Sequence, residues 1–260
     1  MRLRPPRPSR LRCALAVVVP GLLAGCGGSA AQGDAAPDLL VTRGSASSRA
    51  NDEGMAATAT VGGLDRRAVQ RTFAQAFSEI RGCVDRGRQR LPYLGGEVGL
   101  AIRIGPTGQL VAAELSRSTL GDAETERCIL RALRARRWPR PVGGQIGEAS
   151  QSYGFEPPVT DPPRVASTEE LREAMARSAE PGEQPFDELI AQLERCRQQA
   201  GAGSLAVTFY LDEDGMAQSS GVSGEGEAPA RAAPCVATVI ATTSFPGLGA
   251  PFVKVTVRLP

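Results

Sequence analysis

Hydrophobic residues recur along this chain with the periods of helices and strands. Between Val69 and Val84 apolar side chains return every three or four residues, which predicts an amphipathic helix. Residues 98–104 alternate between apolar and small or polar side chains, which predicts a half-buried strand. After a turn at residues 105–108, a second strand is expected over residues 109–117, with Val111, Ala113 and Leu115 on one face.

A second helix and a third strand complete the first pattern. Asp122 is a suitable N-cap for a helix that carries Cys128, and Trp138-Pro139 ends that helix. Residues 151–155 alternate again and predict the third strand. We therefore expect an α+β module of order helix-strand-strand-helix-strand, with a three-stranded antiparallel sheet. A right-handed crossover gives the strand order 2-1-3, both helices on one face, and the second and third strands as edges.

The same pattern then repeats. Cys196 follows Cys83 at an offset of 113 residues, in helices of matching apolar period. Gly108 and Cys128 are separated by 20 residues, as are Gly215 and Cys235. An aromatic-Pro pair follows each of these cysteines after 10 residues, Trp138-Pro139 in the first unit and Phe245-Pro246 in the second. The chain is therefore predicted to contain two tandem modules.

The predicted organisation has five segments. Residues 27–63 are rich in Gly, Ala and Ser without an apolar period, which is typical of a flexible tether. A Pro-rich stretch and a capping box, Ser167-Thr168-Glu169-Glu170, precede a short helix between the modules. The segments are a signal peptide at 1–25, a tether at 26–63, a first module at 64–156, a linker with a short helix at 157–183, and a second, divergent module at 184–260.

The N-terminus has the features of an export signal. Five arginines precede a short apolar run, and that run is too short and too interrupted to span a membrane comfortably. Leu23-Ala24-Gly25-Cys26 resembles a bacterial lipobox, which implies cleavage before Cys26 and a lipid on its side chain. Gly27 after the cysteine implies an outer-membrane anchor, facing the periplasm or the cell surface. The alternative is an ordinary signal peptide that contains a cysteine.

Composition excludes several kinds of chemistry. The chain has no histidine, which excludes His-based triads and His metal ligands, and its single lysine is Lys254. Cleavage of the signal removes five arginines and takes the net charge from +2 to −3, which argues against nucleic acid as a partner. Residues 64–156 carry 15 arginines and 10 acidic residues, whereas residues 157–260 carry 8 basic and 14 acidic residues.

The first module resembles a known family. A helix ending at Cys83, a strand-turn-strand around Gly108, Ser118-Thr119, Cys128 and Trp138-Pro139 are similar to the AgmX/PglI C-terminal domain of myxobacteria, a relative of the TonB C-terminal domain. The resemblance covers residues 64–156, and the second unit has Gly224-Glu225 in place of the Ser-Thr pair. It implies a TonB-like fold and an envelope role, with motility or transport as the process in some members, and it does not imply a catalytic activity. No cofactor is expected.

Four cysteines remain once Cys13 is removed with the signal peptide and Cys26 is assigned to lipid. In an oxidising compartment we expect the disulfides Cys83–Cys128 and Cys196–Cys235, one in each module. Buried free thiols and a four-thiolate zinc site are the alternatives, although no C-x-x-C pair is present to favour zinc.

The leading functional hypothesis is a non-enzymatic, lipid-anchored adaptor that binds envelope proteins, by strand addition at an open sheet edge. The edges could instead simply be protected, a role that Lys254 and Arg258 on the solvent side of the last strand would suit. A TonB-like energy transducer is the alternative function. An enzyme or calcium site using Asp212, Glu213 and Asp214 is a third hypothesis, although acidic turn residues usually serve the turn itself.

The charge pattern adds two further hypotheses. Arg127, Arg131 and Arg134 would form one stripe on the second helix, which could contact an anionic partner or be a solvated face. The two modules, of opposite net charge, could also attract each other.

Overall fold

Two four-stranded sheets, each covered by helices, make up the part of the chain that the computed structural model describes, residues 56–58 and 63–260. Together these residues form one compact α+β unit with two hydrophobic cores. The signal peptide, Cys26 and most of the expected tether lie outside the described residues.

The first module contains two helices and an antiparallel sheet of order β1-β4-β2-β3. Its elements are β1 (Ala56–Thr58), α1 (Arg66–Arg90), β2 (Gly96–Ile104), β3 (Leu110–Ser118), α2 (Ala123–Arg134) and β4 (Gly147–Phe155).

The second module has a mixed sheet of order β5-β8-β6-β7, in which β5 runs parallel to β8. Its elements are β5 (Arg164–Ala166), α3 (Thr168–Ser178), α4 (Pro185–Gln199), β6 (Leu205–Asp212), β7 (Ala217–Ser223), α5 (Ala228–Thr242) and β8 (Phe252–Leu259).

Acidic side chains cap both helices of the first module, at Asp122 as the sequence predicts and also at Asp65. Asp65 accepts hydrogen bonds from the backbone N–H groups of Arg67 and Ala68 at the start of α1, and Asp122 accepts one from Thr125 at the start of α2. The apolar stripe of α1, which includes Phe73, is buried against the sheet. In both modules the first hairpin strand is central, flanked by the second and third strands, so the order 2-1-3 is confirmed.

The two modules repeat one contact in detail. Gly108 and Gly215 both have positive φ, 83° and 81°. A Cβ on Gly108 would lie 2.6 Å from the carbonyl oxygen of Trp138, and a Cβ on Gly215 would collide with the carbonyl oxygen of Phe245. The hairpin glycine therefore allows the aromatic-Pro segment to close over the turn in each module.

Two disulfides join the cysteine pairs that the sequence predicts, Cys83–Cys128 and Cys196–Cys235. Each links the long helix before the hairpin to the helix after it, α1 to α2 and α4 to α5. A covalent bond therefore joins the two helices that flank the hairpin in each module.

Each sheet has four strands, one more than the three that the sequence predicts. Ala56–Thr58, placed in the tether by sequence, pairs antiparallel with β4. Arg164–Ala166, placed in the linker, pairs with β8, and Leu171 and Met175 of α3 enter the second core. The third strands are therefore not edges, because short neighbouring segments satisfy backbone groups that would otherwise stay unpaired.

Within residues 56–58 and 63–260, no helix combines the length and the apolar character that a membrane crossing requires.

Candidate functional site

An open groove of about 720 Å³ lies beside the start of β3, between the hairpin turn and the end of α2. We call it the arginine groove. It is lined by Thr107, Gly108, Gln109, Leu110, Val111, Ala112, Arg134, Ala135, Arg136, Arg137, Trp138 and Arg140.

Trp138 fixes the floor of the arginine groove. Its indole Nε1–H donates to the carbonyl of Leu133 in the last turn of α2, and its backbone N–H donates to Gly108, both at 3.3 Å. The ring is buried and meets Phe73 edge to face, with centroids 4.8 Å apart. The segment that carries the arginines after α2 is therefore attached to both the helix and the hairpin turn.

A β-bulge places Val111 in this groove. The β2–β3 register shifts between Arg103 and Ile104, so that Val111 is left without a partner of its own on β2. Val111 is 47% exposed, whereas Ala113 and Leu115 are buried. The expectation that all three share one face is wrong, because the extra residue inverts the alternation at this point.

The outer edge of β3 is occupied along only part of its length. The carbonyl of Leu115 accepts the N–H of Gly224 from the second module at 2.9 Å, and the carbonyl of Ala113 faces the Arg134 guanidinium at 3.4 Å. β3 is the last strand in its sheet, and among the described strands only β2 pairs with it. Residues 110–112 thus form the end of this edge that no described strand covers, beside the arginines; Val111 is exposed there, whereas Ala112 is buried.

The groove is strongly cationic. Among the described residues that line it, four are arginines and none is acidic. Arg136 forms an ion pair with Glu79, while its buried Nε finds no hydrogen-bond partner in the part of the chain that is described. Among the residues that the structure describes, Arg134, Arg137 and Arg140 pair with no carboxylate. Such a surface is complementary to an anion.

Only one member of the predicted arginine stripe contributes to this site. Arg127 and Arg131 are exposed on α2 outside the groove, and Arg134 lines it. Arg136, Arg137 and Arg140 were not singled out from the sequence. A comparison of the repeats could have found them, because the second module has no arginine at the matching positions around Phe245. Those positions are Thr243, Ser244 and Gly247.

The modules contact each other through β3, α2 and β7. Glu126 of α2 is buried, accepts the Ser118 hydroxyl at 2.6 Å, and accepts the backbone N–H of Val222 from the second module at 3.1 Å. Burial raises the pKa of Glu126 to about 7, against the smaller opposing effect of these hydrogen bonds.

A second polar contact involves Lys254. Its Nζ donates to the carbonyl of Gly95 in the first module at 2.6 Å, and Tyr210 donates its hydroxyl to the same oxygen at 3.0 Å. The ring of Tyr93 packs against Tyr210 and Phe252. The expectation that Lys254 lies on the solvent side is wrong for this reason, and burial lowers its pKa to about 8. Arg258 is exposed, as expected.

The opposite charges of the modules do not meet in ion pairs. Every salt bridge found within the described ranges lies inside one module. Hydrogen bonds to backbone groups and aromatic packing make up the contact instead.

The acidic turn of the second module serves its own backbone. Asp212 Oδ1 accepts the N–H groups of Asp214 and Met216, and Oδ2 accepts the side-chain amide of Gln218. Over the part of the chain described, no three acidic or cysteine side chains are grouped as a metal site would require.

Comparison of the sequence with protein-family models, with curated proteins and with solved structures finds no match, so the geometry of the described residues is what bears on function.

Proposed function

We propose that this protein is a non-enzymatic, protein-binding adaptor of the bacterial envelope, held at the outer membrane by a lipid on Cys26. Its binding site is the open end of β3, residues 110–112, which adds a strand from a partner protein. The observation that carries the proposal is the edge position of β3 together with the arginine groove beside it.

Three features of the sequence and structure support an adaptor. The lipobox-like Leu23-Ala24-Gly25-Cys26 supports the anchor. The helix-strand-strand-helix-strand order in both modules supports a TonB C-terminal-like fold of the AgmX/PglI kind. The disulfides Cys83–Cys128 and Cys196–Cys235 support an oxidising location.

The rest of the surface favours this edge over the others. The end of β7 is occupied by the first module, through the Val222 and Gly224 contacts. The third strands β4 and β8 are covered by β1 and β5. An extended partner that pairs with β3 would meet exposed Val111 and the open arginine groove, in which Trp138 is held by hydrogen bonds to α2 and the hairpin turn.

Site-specific photocrosslinking in cells tests the proposal. A photoreactive amino acid at Val111 of the full chain is expected to capture one reproducible envelope protein. Ile146 is a matched control, because its exposed fraction of 51% is close to the 47% of Val111 but it lies in the loop before β4. Equal or absent crosslinking at the two positions would contradict binding at the β3 edge.

A further inference from the structure

We propose that the partner segment is an acidic extended peptide, with carboxylates at alternate positions that face the arginine groove. This inference rests on the proposed function, since it specifies what is added to the edge of β3.

The charge of the groove sets the charge of the occupant. Arg134, Arg137 and Arg140 have no carboxylate partner among the described residues, and all three residues are exposed. Guanidinium groups bind carboxylates through paired, directed hydrogen bonds. The buried Nε of Arg136 is a further donor that has no acceptor in the described part of the chain.

The position of the arginines sets the spacing of the carboxylates. Arg134 reaches the outer side of β3 from the end of α2, at Ala113, and the other groove arginines follow it in the chain. Successive side chains of a strand point to opposite faces of the sheet. A strand added outside residues 110–112 would therefore direct every second side chain toward the arginines.

The backbone of β3 favours a peptide over an anionic polysaccharide. A sheet edge offers N–H and C=O groups that another peptide backbone can pair with, and a sugar polymer has no such ladder to offer. Exposed Val111 gives an apolar contact at the same place. Both features would be unused by a polymer that is recognised through its charge alone.

Fluorescence anisotropy with labelled peptides tests this inference on the full chain. The probe is a peptide of about six residues that alternates Glu and Val, long enough to span the open edge. We compare it with a Lys-Val peptide, with a Ser-Val peptide, and with the Glu-Val peptide carrying N-methyl groups that block backbone pairing. Only the unmodified Glu-Val peptide is expected to bind well, and added salt is expected to weaken it.

Two double variants distinguish the effect of the arginine groove on peptide binding from the effect of the protein's net charge. R137A/R140A is expected to weaken the Glu-Val peptide about tenfold, since it removes two guanidinium groups from the site. R127A/R131A removes the same charge from α2 outside the groove, and its effect is expected to be several-fold smaller. Equal effects of the two variants would overturn the inference.

The remaining outcomes distinguish the two proposals. Equally tight binding of the Ser-Val or Lys-Val peptide would overturn the acidic partner while strand addition stands. If the N-methylated peptide binds equally tightly and an anionic polysaccharide such as alginate displaces it, the groove recognises charge alone. That result would overturn the inference that the partner segment is a peptide. If no peptide binds and Val111 gives no specific crosslink, the proposed function itself fails.

Discussion

The carboxylate of Glu126, on the first module, accepts the backbone N–H of Val222, on the second module, at 3.1 Å. The carboxyl group is buried, its other oxygen accepts the Ser118 hydroxyl, and no cation lies against it among the described residues. The two modules are thus joined by an acidic group whose charged form is poorly solvated.

The contact at Glu126 is expected to depend on pH. Burial raises the pKa of Glu126 from 4.5 to about 7, so the folded protein binds a proton that the unfolded chain releases. The associated stabilisation is present below about pH 4.5 and is lost as pH rises through about 7, on the order of 3 kcal/mol in all. Urea denaturation measured between about pH 5 and pH 8 should show this loss.

Glu126→Gln is expected to flatten that pH dependence, because glutamine stays neutral and keeps an acceptor for Val222. The variant should be more stable than the natural protein near pH 8 and similar near pH 5. Glu124→Gln, at a more exposed position of the same helix, is the control and should keep the natural pH profile. A Glu126→Gln protein with an unchanged profile would contradict the role of this carboxyl group.

Lys254 is expected to titrate well below an ordinary lysine. Desolvation lowers its pKa to about 8, whereas an unperturbed lysine has a pKa of about 10.4. Because it is the only lysine in the chain, ¹³Cε-lysine labelling yields a single side-chain signal in an NMR titration. A midpoint near the ordinary value would show that the Lys254 ammonium group is not desolvated at its contact with Gly95.

Each disulfide is expected to contribute strongly to stability. Cys83 and Cys128 are 45 residues apart, and Cys196 and Cys235 are 39 apart. Loop closure of this length is worth about 4 kcal/mol in the chain-entropy description. The double serine variants should therefore lower the free energy of unfolding by about this amount in urea. Non-reducing mass spectrometry of envelope-purified protein supplies the direct check, and four free thiols there would contradict both bridges.

Gly108→Ala is expected to disturb the arginine groove. The residue has a φ of 83°, and a new Cβ would lie 2.6 Å from the carbonyl of Trp138. Gly143→Ala is a matched control, because Gly143 has the same φ and no atom of a described residue lies within 4 Å of its Cβ position. The positive φ lowers the free energy of unfolding of each alanine variant by about 1 kcal/mol. The further loss of stability in Gly108→Ala therefore measures the collision with Trp138. Crosslinking from Val111 is also expected to weaken in this variant. Equal losses would show that the turn can move away from Trp138.

The periodicity of apolar residues was sufficient to predict the helices and the hairpins, and the right-handed crossover rule added the central position of the first hairpin strand. Two properties of the sequence made these predictions possible. Amphipathic periods depend on neighbours in sequence, and the repeated spacing of Gly108 to Cys128 and Gly215 to Cys235 indicated a duplication. The capping by Asp122 was predicted for the same reason, since an N-cap bonds within its own first turn.

Short edge strands carry too little local signal to be predicted. Ala56–Thr58 and Arg164–Ala166 have three residues each, so no alternation can be recognised in them. They form strands because β4 and β8 present unpaired backbone groups at that place. The bulge that exposes Val111 was likewise decided by pairing with β2, and not by the alternation in β3 itself.

The sequence by itself determined the two modules, their element order and the pairs of cysteines, because each of these depends on spacing along one chain. Only the tertiary structure decided that Glu126 meets Val222, that the half-buried Lys254 donates to Gly95, and that four arginines line a groove beside one strand end. These relationships join residues from separate elements, up to 159 positions apart. The pattern of residues along the chain does not specify which distant elements pack against each other.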